Sequence, residues 1–192
     1  MIARMRTTGR LLPTILTAAD GAAALAPPEL RAAVLDGDLL PLGDAFLPID
    51  QPAGPAERAA SIAHLVGRRG IIAEGSAAWV WGAAWRLAEP IRTYARAGAP
   101  SSPPDRERAS MREMRLREDD VVDLRAVCVT SPVRTAIDLV RAPDGEFDQA
   151  CLGRLLAIAG IAPSRLAGAI AARPRLIGRR IALARLQVLF TR

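Results

Sequence analysis

The chain contains no lysine and no asparagine, and all 26 of its basic residues are arginine. The AAR and AAY codons for the missing residues are avoided, as in a GC-rich genome. Without lysine, P-loop phosphate binding, a lysine Schiff base and the E-x-K corner of restriction-type nucleases are excluded in their standard forms, because each uses that amine. Histidine is nearly absent. Only His64 occurs, in a segment where Ala60, Ala63 and Val66 recur at helical spacing, so it reads as a helix-surface or half-buried residue and not as a metal ligand or triad member. Cys128 and Cys151 are too few and too far apart for a metal motif, and read as buried, reduced small hydrophobes of a cytoplasmic protein. No run of eighteen apolar residues exists, and the apolar segment 11–19 ends at Asp20, so no membrane span is expected.

One absence is regional. Residues 151–192 hold eight arginines and no carboxylate, whereas residues 1–50 hold four arginines against six acids and residues 51–150 hold fourteen against fourteen. The net charge of +6 therefore resides at the C-terminal end, which is where a polyanion would be met.

What is present suffices for a folded protein. With 192 residues and 51% apolar content, the chain can bury one moderate core or two small ones. Residues 11–19 read as a short helix. A second helix is predicted from Pro27-Pro28-Glu29 to a stop at Gly37, with Leu30, Val34 and Leu35 apolar. Segments 38–42 and 45–49 flank Gly43-Asp44 as a small hairpin whose prolines confine a strand to an edge. Helix, helix and two-stranded wing outline a winged helix-turn-helix. A Pro/Gly linker, 51–55, then leads to a helix over 56–69 and a second one from Ser76, as N-cap, to Gly82. Trp79 and Trp81 cannot share one face of it. Strands are predicted over 91–95, 111–116, 119–124 and 126–130, with 98–105 as a loop. The acidic cluster Glu118-Asp119-Asp120 with Asp123 reads as a solvated turn.

Next comes Ser131-Pro-Val-Arg-Thr-Ala-Ile-Asp-Leu-Val-Arg141. Ser131 suits the N-cap and Pro132 the first helical position, where no N–H is needed. Arg134 and Asp138 fall one turn apart, a pair worth ~0.2–0.5 kcal/mol if exposed and more consequential if buried. The expected role of Arg134 is structural. Helices follow over 147–159, 165–172 and 176–189. Leu152, Leu155, Leu156, Leu166, Ile170, Ile177, Ile181 and Leu186 are expected to form a helical cap with the arginines on its wet side.

Three stretches resemble the AbiEi-like antitoxins, the transcriptional-regulator halves of type IV toxin–antitoxin pairs of actinobacterial type. Leu30-Arg-Ala-Ala-Val-Leu-Asp-Gly-Asp-Leu-Leu40 is similar to the family's helix ending in glycine before a short strand. Ser76-Ala-Ala-Trp-Val-Trp-Gly82 resembles its S-A-A-W-L-x-G, and Val127-Cys-Val-Thr-Ser-Pro-Val-Arg-Thr-Ala-Ile-Asp-Leu139 its V-T-x-P-x-R-T-x-x-D-L. The matches run in the family's order over about residues 11–190. The resemblance implies an N-terminal winged helix (1–50) that binds operator DNA, and a mixed α/β body (56–192), with a small sheet and C-terminal helices from about 147, that counteracts a nucleotidyltransferase-like toxin. It implies no catalysis, cofactor or metal.

Two departures make the winged helix degenerate. Only residues 22–29 separate Asp20-Gly21 from the Leu30 helix, where the family fits a whole helix and turn. The recognition helix also offers Arg31 alone against Glu29, Asp36 and Asp38. Operator contact is therefore expected from Arg31 together with Arg173, Arg175, Arg179, Arg180 and Arg185, because phosphate binding needs cations that face the backbone. The alternative is a protein-interaction module that has lost DNA binding.

Overall fold

The computed structural model describes residues 26–98, 101–125 and 127–190. The helix expected over 11–19 lies outside them. The architecture is mixed α+β, and the chain divides into two compact units, Met1–Ala53 and Gly54–Arg192.

In the first unit, α1 (Pro27–Leu35) starts with proline where its missing N–H costs nothing, and the Glu29 carboxylate accepts the Ala26 N–H at 2.7 Å. Gly37, at φ +81°, ends it in a conformation that a side chain disfavours. Strands β1 (Leu39–Leu42) and β2 (Ala45–Pro48) pair antiparallel, with Leu42 opposite Ala45 across the Gly43-Asp44 turn. Pro41 and Pro48 have no N–H to give a further strand, and the sheet has two strands. Leu30, Leu39, Leu42, Ala45 and Leu47 are buried.

The second unit is built on a five-stranded mixed sheet, ordered β5-β4-β3-β7-β6. Strand β3 (Ile71–Ile72) is central. It runs antiparallel to β4 (Ile91–Arg96) and parallel to β7 (Cys128–Thr130), while β5 (Ala109–Met114) lies parallel to β4 and β6 (Val121–Asp123) antiparallel to β7. Gly70 admits the tight entry into β3, since a Cβ there would come within 2.3 Å of the Val66 carbonyl oxygen.

The helices are α2 (Pro55–Ser61), α3 (Ala63–Val66), α4 (Glu74–Val80), α5 (Pro132–Val140), α6 (Gln149–Ile158), α7 (Pro163–Ala171) and α8 (Arg179–Phe190). Every residue of α5 from Arg134 to Val140 is buried, and Ala136, Ile137 and Val140 share one core with Leu152, Leu155, Leu166, Ile170, Ala182 and Leu186 from α6 to α8. Ser131 caps α5 by accepting the Arg134 N–H. No single described helix is long and apolar enough to cross a membrane.

Several expectations need correction. The helix over 56–69 is broken at Ile62, which leaves helical geometry (φ −120°) with its side chain wholly buried. Helix α4 starts at Glu74, before Ser76, whose hydroxyl instead accepts the Arg92 N–H and ties the helix to β4. The strand over 119–124 is a 3-10 turn at Glu118–Asp120 followed by the shorter β6. Helix α8 begins at Arg179 and not at 176, and Ile177 and Ile181 are 84% and 54% exposed instead of lying in the cap. Trp79 enters the core, while the Trp81 indole donates to the Thr130 carbonyl at 2.9 Å.

Candidate functional site

Helix α5 carries its charged residues into the interior. Arg134 is 2% exposed and forms a forked pair with Asp138, Nε to Oδ2 at 2.9 Å and Nη2 to Oδ1 at 3.1 Å. Its Nη1 donates to Asp120 Oδ2 at 3.3 Å, and its guanidinium lies 5.6 Å from the Tyr94 ring centroid. Arg141, one turn beyond Asp138, donates from Nη1 to Asp138 Oδ1 and from Nε to the Ile177 carbonyl. Asp120, expected in a solvated turn, is 1% exposed. Its Oδ2 also accepts the Arg117 backbone N–H, and its Oδ1 accepts Arg173 Nη2. The local i, i+3 bond to Arg117 is the one short-range sign of this role, since Asp favours such turn-closing bonds.

Three guanidiniums thus converge on two buried carboxylates. Burial alone would lower the Arg134 pKa, but the Asp138 charge and hydrogen bonds outweigh it and hold the guanidinium above its ordinary value. Burial pushes the Asp138 carboxyl up, and Arg134 and Arg141 pull it back. Beside them, Tyr94 donates its hydroxyl to Glu74 at 2.9 Å, and Glu74 also takes a bond from Arg112. Glu74 sits at φ +53°, in the left-handed region, so these two bonds help hold a backbone that glycine would adopt more readily.

The arginines named from the sequence divide by circumstance. Arg173 is tied to Asp120 and, from Nη1, to the Ala169 carbonyl. Arg185 donates to the Val140 and Ala142 carbonyls at 2.8 and 2.7 Å, bonds Asp144, and lies over Phe147. It serves as a charged cap on the C-terminal end of α5, where a cation is favoured. Arg175 and Arg180 are exposed, and Arg179 is half-buried with a buried Nε that has no acceptor. Arg31 is exposed on α1 in the first unit. The structure therefore groups Arg175, Arg179 and Arg180 between α7 and the first turn of α8. Asp120, Arg117 and Arg141 were missed as site residues because, beyond their local i, i+3 bonds, the partners that fix their side chains, namely Arg173 and the Ala172 and Ile177 carbonyls, are distant in sequence.

His64 is exposed on α3. Burial pushes both thiols up, assisted by Asp123 at Cys128 and Asp148 at Cys151, which removes the thiolate character that reactive cysteines need. Among the described residues, no three His, Cys, Asp or Glu side chains are grouped to hold a metal ion.

Fold and site together define a two-unit α+β chain with a buried arginine–carboxylate centre and exposed arginines beside it. No protein-family model matches it, and no curated protein matches it significantly. Among solved structures, the RV2827C protein from Mycobacterium tuberculosis aligns over 93% of this chain and 76% of its own, at 18% identity and a TM-score of 0.34. A likeness that shallow carries no argument about function.

Proposed function

We propose that this chain is a non-catalytic, AbiEi-like antitoxin or transcriptional regulator that binds operator DNA, counteracts a nucleotidyltransferase-like toxin, or does both. In this reading α1 and the β1–β2 hairpin serve as recognition helix and wing of a degenerate winged helix-turn-helix, with Arg31 on the exposed face of α1. The observation that carries the DNA-binding half is the head of α8. Arg179 and Arg180 occupy its first turn, and residues 151–192 offer them no carboxylate. Cations at the positive end of a helix dipole are unfavourable by a few tenths to ~1 kcal/mol, and an entering phosphate relieves both repulsions. A non-catalytic role accords with the absence of lysine and with thiols held in their neutral form.

The test is anisotropy of a labelled fragment of the chain's own promoter, titrated at salt from roughly 50 to 200 mM. Log affinity should fall linearly with log salt, at a slope of about −0.9 for each phosphate neutralised. No binding at the lowest salt would remove the DNA-binding half.

A second reading, a protein-interaction module without DNA binding, is favoured by one observation. Ile181 and Val188 lie seven residues apart on one face of α8, 54% and 77% exposed, an apolar stripe suited to a protein partner. Co-expression with the adjacent gene product separates the readings, since a stable complex without any DNA shift supports the second.

A further inference from the structure

Beside the buried centre lies a cleft of about 500 Å³ that shares Arg173 and Arg175 with the arginines expected to meet DNA but none of Arg31, Arg179, Arg180 and Arg185. Six arginines line it: Arg115 and Arg117 follow β5, Arg134 and Arg141 come from α5, and Arg173 and Arg175 from the turn between α7 and α8. Asp120 is the one carboxylate in the lining, and Asp138, behind it, engages Arg134 and Arg141. Two carboxylates among six guanidiniums leave four positive charges without a counter-charge inside a concave, partly desolvated wall. Such a field selects for an anion.

Three further features define what that anion is. The Arg173 side chain is nine-tenths buried, and its Nε–H has no acceptor. A buried donor of a charged group is satisfied in nearly all folded proteins, so this orphan leaves positive field behind the cleft wall that no protein acceptor offsets. At the rim, Arg115 and Arg175 are exposed and make no hydrogen bond or ion pair among the described residues. Between these arginines the walls are apolar, formed by Leu116, Pro174 and Leu176, and the volume is that of a small-molecule site.

We propose that this cleft binds a small organic phosphate, a monoester of about nucleoside monophosphate size. Its phosphoryl oxygens lie between the exposed guanidiniums of Arg115 and Arg175, and its apolar body rests on Leu116 and Leu176. A monoester carries about two negative charges and three acceptor oxygens, which match several guanidiniums better than the two oxygens of a carboxylate. A phosphodiester inside a duplex carries one charge and has sugars on both sides, so it fits a concave site of this volume and charge less well.

The experiment is calorimetric titration of the full-length chain with 1-naphthyl phosphate, 1-naphthol and inorganic phosphate in parallel. The ester should bind at one site per chain, more tightly than inorganic phosphate, and naphthol should give no saturable heat. Arg115→Gln and Arg175→Gln each remove a charge-assisted bond and should weaken binding about tenfold, and the double variant about a hundredfold. These rim residues brace nothing, so the melting temperature should be unchanged and loss of binding will not reflect loss of fold. Arg179→Ala/Arg180→Ala, outside the cleft, should bind the ester as the parent chain does, which keeps this result separate from the promoter assay. The proposal is overturned by absence of saturable ester binding, by equal binding of naphthol, or by undiminished binding in the rim double variant. Inorganic phosphate binding as tightly as the ester would overturn its organic half.

Discussion

Arg134 and Arg180 are the same residue in opposite circumstances. Arg134 is 2% exposed, forked onto Asp138, bonded to Asp120 and stacked on Tyr94. Arg180 is exposed on the first turn of α8, in a stretch of chain without a carboxylate. Arg173 and Arg185 belong with the first, although their sequence neighbourhood places them with the second. The contrast teaches that a count of arginines finds a charged region but not a binding one. What decides is how many guanidinium donors remain unspent after folding.

The largest expected effect would break that contrast outright. Replacing Arg134 with alanine strands Asp138 and Asp120 in the interior with fewer partners, and uncompensated buried charge costs about 3–5 kcal/mol. Urea unfolding should read a loss of that size for Arg134→Ala, with Arg134→Lys falling between it and the parent because lysine keeps the charge but not the fork. Arg185→Ala should cost less, about 1–2 kcal/mol, for its two carbonyl bonds and its contact with Phe147. Losses below 1 kcal/mol for both would mean that the buried arginines are as dispensable as exposed ones.

A spectroscopic effect sharpens the comparison from the buried side. Tyr94 is the chain's one tyrosine, so absorbance near 295 nm reports it alone. Burial first, then the charges of Asp138 and Glu74 and the bond to Glu74, push its hydroxyl well above the ordinary value, with Arg134 opposing. The folded protein keeps a proton that the unfolded chain releases near pH ~10. The stabilisation is therefore whole below that pH and declines as pH rises above it, since the native state then binds more protons than the unfolded one. Tyrosinate should form only together with loss of the circular dichroism of the fold. A midpoint near ~10 in the still-folded protein would show the centre to be open to solvent.

Local chemistry made part of this legible. The Ser131 cap with Pro132, the turn at Gly43-Asp44 and the stop at Gly82, φ +79°, each rest on residues within a few positions of one another. The helical cap was legible as a set of apolar faces, yet periodicity does not say which face is covered, and Ile177 and Ile181 ended up outside. Long-range partners left no trace. Asp120 looks like its neighbours Glu118 and Asp119, and Arg134 and Arg173, fourteen and fifty-three residues away, turn it into a buried anchor. Central strand β3 is two residues long, too short for any pattern of alternation, and its place follows from β4 and β7 on either side.

The smallest expected effect on stability carries the most functional weight. Arg179→Ala/Arg180→Ala removes two guanidiniums that make no bond to a carboxylate among the described residues, and it takes two cations from the unfavourable end of a helix dipole. Unfolding free energy should change by less than about 0.5 kcal/mol in either direction, because neither guanidinium spends a donor on another described residue. The same variant should flatten the salt dependence of promoter binding by about two units of slope, because each lost phosphate contact removes roughly one. An unchanged slope would move the DNA contact away from α8 and leave Arg31 to account for it. A marked loss of stability would instead place Arg179 and Arg180 beside Arg134, among the arginines whose donors folding has already spent.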